Sequence, residues 1–326
     1  MSTKDGILAH LQAHEGYVSG ETLSEQLGVS RTAIWKNIKT LRSCGYSIES
    51  VTNRGYKLIS SPNRISADEI ASGLKTKILA KNIFCYDIID STNEEAKRQA
   101  LSGAPNGSLF IAEQQLGGKG RLGRVWASPK GTGLWFSVLL RSSLIPLQLT
   151  NITLMAGLAV CRAIRSFTGC PAMIKWPNDV IIGSRKVCGI LTEMAAEVDR
   201  VEYVIVGIGI NVNNASFPDD LLIKATSLCM ESGSPLQRVG LLQEVLRVFE
   251  TLLVEYKTDS SALLTEYKKF CVSLNRKVNF TRNNQKLTAT AVDISPDGEL
   301  IVRCDDGTMV PINSGEVTVQ GIYGEI

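Results

Sequence analysis

Ten residues, Gly117-Gly118-Lys119-Gly120-Arg121-Leu122-Gly123-Arg124-Val125-Trp126, hold four glycines, three cations and no acid, directly after a strand-like run at 108–115. Glycine lets a backbone approach an anion closely, and Lys and Arg add charge-assisted hydrogen bonds, so the run suits a phosphate. It fits the dinucleotide fingerprint Gly118-x-Gly120-x-x-Gly123 and, with Val125, the kinase glycine-rich loop. Its surroundings exclude both. The first needs a helix opening at the last glycine, but residues 126–133 break helices and lead into a second strand-like run at 134–141. The second needs His-Arg-Asp and Asp-Phe-Gly downstream. The only histidines, His10 and His14, lie upstream, and no Asp-Phe-Gly occurs.

The two-histidine count also argues against a His-based triad, a His–metal site or a His general base in the body of the chain. Any chemistry there must run on Lys, Arg, Asp, Asn and bound metal. Cysteines are scattered without a Cys-x-x-Cys pair, which fits small buried hydrophobes in a reducing compartment. At 326 residues, 44% hydrophobic and 21% charged, the chain suits two or three soluble domains. No apolar run reaches the roughly 20 residues of a membrane span, and the first residues do not open a signal peptide, so a cytoplasmic location is expected. The net charge of +3 is too small to imply a polyanionic partner by itself.

The elements that would carry these residues begin with a helix at 4–14, a second at 21–27 capped by Ser19, and a third from Ser30 to about 43. On the third, Ile34, Ile38 and Leu41 share one face, while Thr32, Lys36, Lys39, Thr40 and Ser43 share the other, flanked by Arg31, Trp35 and Arg42. A hairpin follows, 46–51 and 56–59, with Arg54 at its tip. This is the pattern of a winged helix-turn-helix, with Arg31, Thr32, Lys36, Lys39 and Arg54 as candidate DNA contacts. Ser60-Ser61-Pro62-Asn63 reads as a linker.

Beyond it, strand-like runs at 83–89, 108–115, 134–141, 172–176, 186–194 and 201–212 alternate with helix-like runs at 93–101, 147–167, 239–258 and 262–270. Adjacent strands without helices between them predict a mostly antiparallel sheet, with helices on one side. Asp90-Ser91-Thr92-Asn93 caps a helix or holds a small polar head group. Lys175-Trp176-Pro177-Asn178-Asp179 is turn chemistry with a cation at a strand end. Lys186 heads an apolar strand, either snorkelling or facing an anion. In 201–213 one face is aliphatic, while the other runs Tyr203, Ile205, Gly207, Gly209, Asn211, leaving room for a ligand or marking a twist.

These segments in this order resemble the biotin–protein ligase family: Ser91-Thr92-Asn93, the glycine–cation loop ending in Trp126, Lys175 to Asp179, Lys186 with Gly189-Ile190, and Gly209-Ile210-Asn211. The helix-turn-helix in front makes the chain similar to the form that also represses biotin genes. The resemblance departs at Lys119, where the family usually has arginine. That substitution keeps the charge and loses a bidentate fork. The resemblance implies an α+β fold with three parts: a winged helix-turn-helix (1–62), a class II aminoacyl-tRNA synthetase-like central mixed sheet with helices (65–272), and a C-terminal SH3-like β-barrel (273–326). The last agrees with short strand-like runs at 277–281, 287–294, 300–304, 309–312 and 317–320, with turns at Asn283-Asn284, 296–298 and 305–307.

The implied reaction joins biotin to ATP as biotinyl-5′-AMP and then passes biotin to a lysine on a biotin carboxyl carrier domain of a biotin-dependent carboxylase. Bringing one anion onto another requires fixed positive charge, supplied by Arg121 and Lys186 as catalytic residues, with Mg²⁺ on the triphosphate. By motif, Ser91, Thr92, Asn93, Gln115, Lys119, Gly120, Arg121 and Lys186 hold biotin and the acyl phosphate. Trp126, Lys175, Asn178 and Asn211 lie towards ATP, and Asp179 is a weaker candidate for metal. The loop is expected to close over the adenylate and to couple to a homodimer that binds operator DNA, with biotinyl-5′-AMP as corepressor and no membrane partner. The alternatives are a non-catalytic, effector-sensing repressor and a lipoate-type ligase.

Overall fold

A computed structural model of the chain describes residues 3–14, 16–43, 46–60, 63–141, 149–196, 201–257, 259–282, 285–313 and 317–324. Ser61 and Pro62 of the expected linker, the first residues of the helix expected from 147, and the Asn283-Asn284 turn lie outside them. The chain forms two compact units, 1–74 and 75–326. The N-terminal unit therefore runs past the expected boundary at 62, and the two later parts share one unit.

In the first unit, helices α1 (Thr3–Ala13), α2 (Gly20–Leu27) and α3 (Arg31–Ser43) precede a hairpin of β1 (Ser47–Val51) and β2 (Gly55–Ser60). Ile7, Leu11, Leu23, Ile34, Ile38, Leu41 and Ile48 form its core, as the helical periodicity requires. Ser19 accepts from Thr22 N at 2.9 Å and Ser30 from Ala33 N at 3.2 Å, so both expected caps form. Gly55 is obligatory: its φ is +108°, and a Cβ there would lie 2.1 Å from the Val18 carbonyl oxygen. Helix α4 (Ala67–Gly73) joins this unit, with Tyr46 donating a hydrogen bond to Glu69.

The second unit is built on a seven-stranded sheet, ordered β3-β4-β5-β9-β8-β7-β6. Its strands are β3 (Ile83–Ile89), β4 (Leu109–Gln115), β5 (Gly133–Leu140), β6 (Ala172–Lys175), β7 (Asp179–Ile182), β8 (Arg185–Ala196) and β9 (Val201–Asn211). Only β3 and β4 pair in parallel, joined through α5 (Thr92–Leu101), so the sheet is mostly antiparallel as expected. The expectation of helices on one side fails. Ala96 and Ala100 of α5 pack on Phe110, Leu139, Tyr203 and Ile205. By contrast, α6 (Leu149–Thr168) meets Thr192 and Ile190, whose side chains alternate with those of Leu191 and Glu193 along β8. One helix thus covers the face on which the ligand residues gather. Helices α6, α8 (Arg238–Tyr256) and α9 (Ser260–Phe270) pack together, α6 lying against the opposite face. A short α7 (Leu228–Ser232) precedes α8.

The C-terminal strands, β10 (Lys277–Arg282), β11 (Gln285–Ile294), β12 (Leu300–Arg303), β13 (Met309–Ile312) and β14 (Thr318–Val319), form an antiparallel sheet ordered β13-β12-β11-β10-β14. It is tied to the central sheet by polar contacts: Trp176 Nε1 donates to Gly298 O at 3.0 Å, and Asn151 Nδ2 to Pro296 O at 3.0 Å.

A charged pair lies inside the second unit. Arg238, 1% exposed, donates to both Glu113 oxygens at 2.8 and 3.2 Å and to Gly133 O at 3.1 Å, locking the start of α8 to β4 and β5. Removing one partner of such a pair strands the other charge. Arg238→Met is therefore expected to destabilise this unit by about 3–5 kcal/mol, and adding Glu113→Gln should recover part of the loss. Urea unfolding followed by tryptophan emission measures both, and an unchanged midpoint in Arg238→Met refutes the pair's importance.

Candidate active site

The site is assembled at the N-terminus of α5. Ser91 is the N-cap by backbone geometry yet makes no side-chain cap bond, so its hydroxyl is not consumed by the helix. The next residues are fixed by a polar chain. Thr92 N and Oγ1 donate to Gln115 Oε1 at 2.8 and 3.1 Å, and Gln115 Nε2 donates to Ser128 Oγ at 2.8 Å. Ser137 Oγ lies 2.8 Å from Thr92 Oγ1 and 2.6 Å from Asn93 Oδ1, while Asn93 Nδ2 donates to Glu193 Oε2 at 2.7 Å. All these groups sit in or beside the sheet, where an unpaired polar atom would be costly.

Three glycines on neighbouring strands floor the space. Gly189 pairs with Gly209 across β8 and β9, and Gly207 lies two residues before Gly209. The face expected to leave room for a ligand does line the cavity, and protein side chains share it. A Cβ at Gly207 would be 2.1 Å from Asn93 Oδ1, and one at Gly209 would be 2.4 Å from Trp126 Nε1. At Gly189 the neighbours are Lys186 Cε and Trp126 Cζ3, both at 3.0 Å. The glycines therefore bring Asn93, Trp126 and Lys186 onto the sheet. Trp126 also meets Trp135 edge-on, with ring centroids 6.4 Å apart.

Lys119, Arg121 and Lys186 each have a named neighbour. The loop closes on itself through Gly120 N to Arg124 O at 2.7 Å and Trp126 N to Gly118 O at 2.8 Å. Arg121 Nη1 donates to Asn178 Oδ1 at 2.8 Å, tying the loop to the Pro-Asn-Asp turn. Lys119 Nζ lies 2.7 Å from Glu94 Oε1. Hydrogen bonds from Lys119 and then Lys97 hold the Glu94 carboxyl below its ordinary value. Lys186 Nζ sits 2.5 Å from Asp179 Oδ1 and 5.1 Å from the Trp126 ring centre. Burial pushes the Asp179 carboxyl up, but the Lys186 and Lys175 cations, with hydrogen bonds from Lys186 and Tyr323, outweigh it and leave it below the usual aspartate value.

An open cleft results between these side chains. Of the residues expected from sequence, it brings together Ser91, Thr92, Asn93, Gln115, Lys119, Gly120, Arg121, Trp126, Asn178 and Lys186. Lys175 and Asn211 are not among its lining. Lys175 Nζ donates to Val317 O at 3.0 Å, and Asn211 Nδ2 to Thr226 O at 3.1 Å. Asp179 does not fit the metal ligand expected of it. Lys186 and Asn178 occupy Oδ1, and the Tyr323 hydroxyl donates to Oδ2 at 2.7 Å. No group of three or more His, Cys, Asp or Glu suited to a metal occurs among the described residues. Sequence reasoning missed Ser137, Glu193, Glu94 and Tyr323. Ser137 had one signal, as the sole polar side chain in the run Gly133–Leu140.

In the N-terminal unit, Arg31, Thr32, Trp35, Lys36 and Lys39 are exposed on α3. Lys39 Nζ lies 5.6 Å from the Trp35 ring centre, and Arg31 pairs with Glu21 at 2.8 Å. Arg54, at the hairpin tip, lies over the Tyr17 ring. Arg42 faces the wing instead, donating to Ile48 O at 2.9 and 2.6 Å. No helix among the described residues is long and apolar enough to cross a membrane.

Comparison with known proteins agrees with this arrangement. Residues 85–211 match the Biotin/lipoate A/B protein ligase family, residues 4–57 an HTH domain, and residues 273–319 the Biotin protein ligase C terminal domain. The chain is 41% identical over 308 residues to the Bifunctional ligase/repressor BirA of Bacillus spizizenii, covering 93% of this chain and 94% of that protein. It is 28% identical over 314 residues to the protein of that name from Escherichia coli, covering 96% of each. Among solved structures, the biotin protein ligase from Aquifex aeolicus in complex with biotin and ATP superposes with a TM-score of 0.65 at 32% identity. That match covers 74% of this chain and 99% of the other.

The glycine floor generates a direct test. Gly209→Ala places a methyl 2.4 Å from Trp126 Nε1, closer than atoms tolerate, so the indole must leave the sheet. The variant is expected to lose about 1–3 kcal/mol of stability and to show red-shifted tryptophan emission. Unaltered emission means that Trp126 does not rest on this glycine.

Proposed function

The chain belongs to the family of bifunctional biotin ligase/repressors, and we propose that its cavity makes biotinyl-5′-AMP. One observation carries the reading: Lys119, Arg121 and Lys186 converge with the N-terminus of α5 on a single cavity with a glycine floor. A biotin carboxylate oxygen forms a bond to the α-phosphorus of ATP while the bond to pyrophosphate breaks. A lysine amine of a biotin carboxyl carrier domain then takes the acyl group, and AMP leaves. The first step brings two anions together, which fixed cations and helix-terminal N–H groups relieve.

In this proposal Ser91, Thr92, Asn93, Gln115, Lys119, Gly120, Arg121 and Lys186 hold biotin and the acyl phosphate. Trp126 and Asn178 lie beside them towards ATP. Lys175 and Asn211 are assigned to the nucleotide on motif alone, and no step is assigned to a protein-held metal. The engaged cations support an active enzyme over a repressor that only senses an effector, because each is positioned by a partner rather than left in solvent.

The division of work follows the sequence: 1–62 for operator DNA, 65–272 for chemistry and 273–326 for completing the site. Arg31, Thr32, Lys36, Lys39 and Arg54 would contact the operator when the adenylate-bound chain forms a two-fold dimer. Their exposure on α3 and the wing supports this reading. The reducing, cytoplasmic setting belongs to the same proposal.

Exchange of labelled pyrophosphate into ATP separates the readings. Exchange is expected with biotin and only background with lipoate or with neither. Lipoate-dependent exchange would make the chain a lipoate-type ligase, and no exchange under any condition would leave a sensor. Biotin plus ATP is also expected to tighten operator binding by about 5- to 150-fold, the ordinary range of coupling between sites. Operator affinity indifferent to both would remove the regulatory half.

A further inference from the structure

We propose that Tyr323, in the segment after β14, is a positioning residue of the adenylation site, acting through Asp179 on Lys186. It rests on the ligase reading above and names a part of the machinery that comes from the C-terminal segment. The path is short and continuous. The Tyr323 hydroxyl donates to Asp179 Oδ2 at 2.7 Å, and Asp179 Oδ1 lies 2.5 Å from Lys186 Nζ, which lines the cavity. Asp179 is 7% exposed, so each of its oxygens needs a partner: Lys186 and Asn178 hold Oδ1, and the Tyr323 hydroxyl holds Oδ2. One faces the reacting cation, the other the C-terminal segment. A carboxylate held at both ends cannot rotate, and the ammonium it holds is fixed with it.

The segment that brings the hydroxyl is itself pinned. Tyr323 N donates to Ser184 O at 3.1 Å, on the turn between β7 and β8. Lys175 Nζ lies 5.3 Å from the Tyr323 ring centre while donating to Val317 O. Arg276 Nη1 donates to Gln320 O at 3.2 Å. Tyr323 adopts a left-handed backbone, φ +60°, a conformation disfavoured for tyrosine and kept where neighbours over-determine it. Lys175 thus has a place without lining the cavity: it steadies the ring whose hydroxyl orients Asp179. Without that hydroxyl, Asp179 is held through Oδ1 and Oδ2 loses its donor, so its charge turns toward Lys186, leaving the ammonium more tightly paired and less well aimed at a phosphate.

The test uses the full-length chain and biotin-dependent pyrophosphate exchange. Tyr323→Phe keeps the ring over Lys175 and removes only the hydroxyl. It is expected to lower kcat about tenfold, the order of losing one charge-assisted hydrogen bond, with KM for biotin unchanged. Introduced into Asp179→Asn, the same change is expected to have no further effect on kcat, because its route is already cut. A purely structural tyrosine would lower thermal stability and act equally in both backgrounds. Equal kcat for wild type and Tyr323→Phe, or full additivity with Asp179→Asn, overturns the proposal. Absence of biotin-dependent exchange in the wild type overturns the ligase reading itself, so the two failures are distinguishable.

Discussion

Placing positive charge at a partly buried site, and holding it in position there, is the constraint on which this structure turns. A lone ammonium removed from water is expensive, so each cation must have a partner that steadies it without neutralising its use. The chain meets this in three ways. Lys186 takes a buried carboxylate, Asp179. Lys119 takes a partly buried one, Glu94, shared with Lys97. Arg121 takes a neutral amide, Asn178.

Fixing Lys186 also requires space, and the sheet provides it by omission. Side chains on adjacent strands stand about 5 Å apart, so any β-carbon at 189, 207 or 209 would lift what lies above. Removing all three lets an amide, an indole and a lysine stem rest directly on the backbone. The same omission explains why Ser137 can bridge Thr92 and Asn93. It pairs with Gly207 across β5 and β9, where nothing separates it from α5. Glycine here is a device for bringing groups down to the sheet, and the cavity is what remains between them.

Much of this was legible in residue order. The strand runs, the Ser19 and Ser30 caps and the glycine face of β9 are local patterns, decided by neighbours two to four residues away. What occupies the glycine face was not legible, because Asn93 and Trp126 arrive from 114 and 83 residues away from Gly207 and Gly209, and spacing carries no trace of that. Periodicity likewise shows that α5 and α6 are amphipathic without showing which side of the sheet each covers. The four-residue strand Asp179–Ile182 was hidden inside a Pro-Asn-Asp turn signal, and finding it changes the meaning of Asp179. As a turn residue it could be offered to a metal. As the first residue of a strand paired with both β6 and β8, it is turned inward onto Lys186.

That pairing has a consequence for how the second unit must be built. Asp179 lies between Lys175 of β6 and Gly189 of β8 in register, so its carboxylate is committed to the sheet's interior before any contact with the C-terminal strands. Lys186 and Asn178 occupy Oδ1, and a buried Oδ2 still has to be satisfied. A donor has to come from elsewhere in the chain. The C-terminal segment supplies it, with Trp176 and Asn151 fastening the same sheet nearby through Gly298 and Pro296. The C-terminal part is thus tied to the central sheet and to α6 through polar groups, among them Trp176 Nε1, Asn151 Nδ2 and the Asp179 carboxylate. Contacts of that kind are selective in geometry, so docking and the alignment of Lys186 are parts of one arrangement.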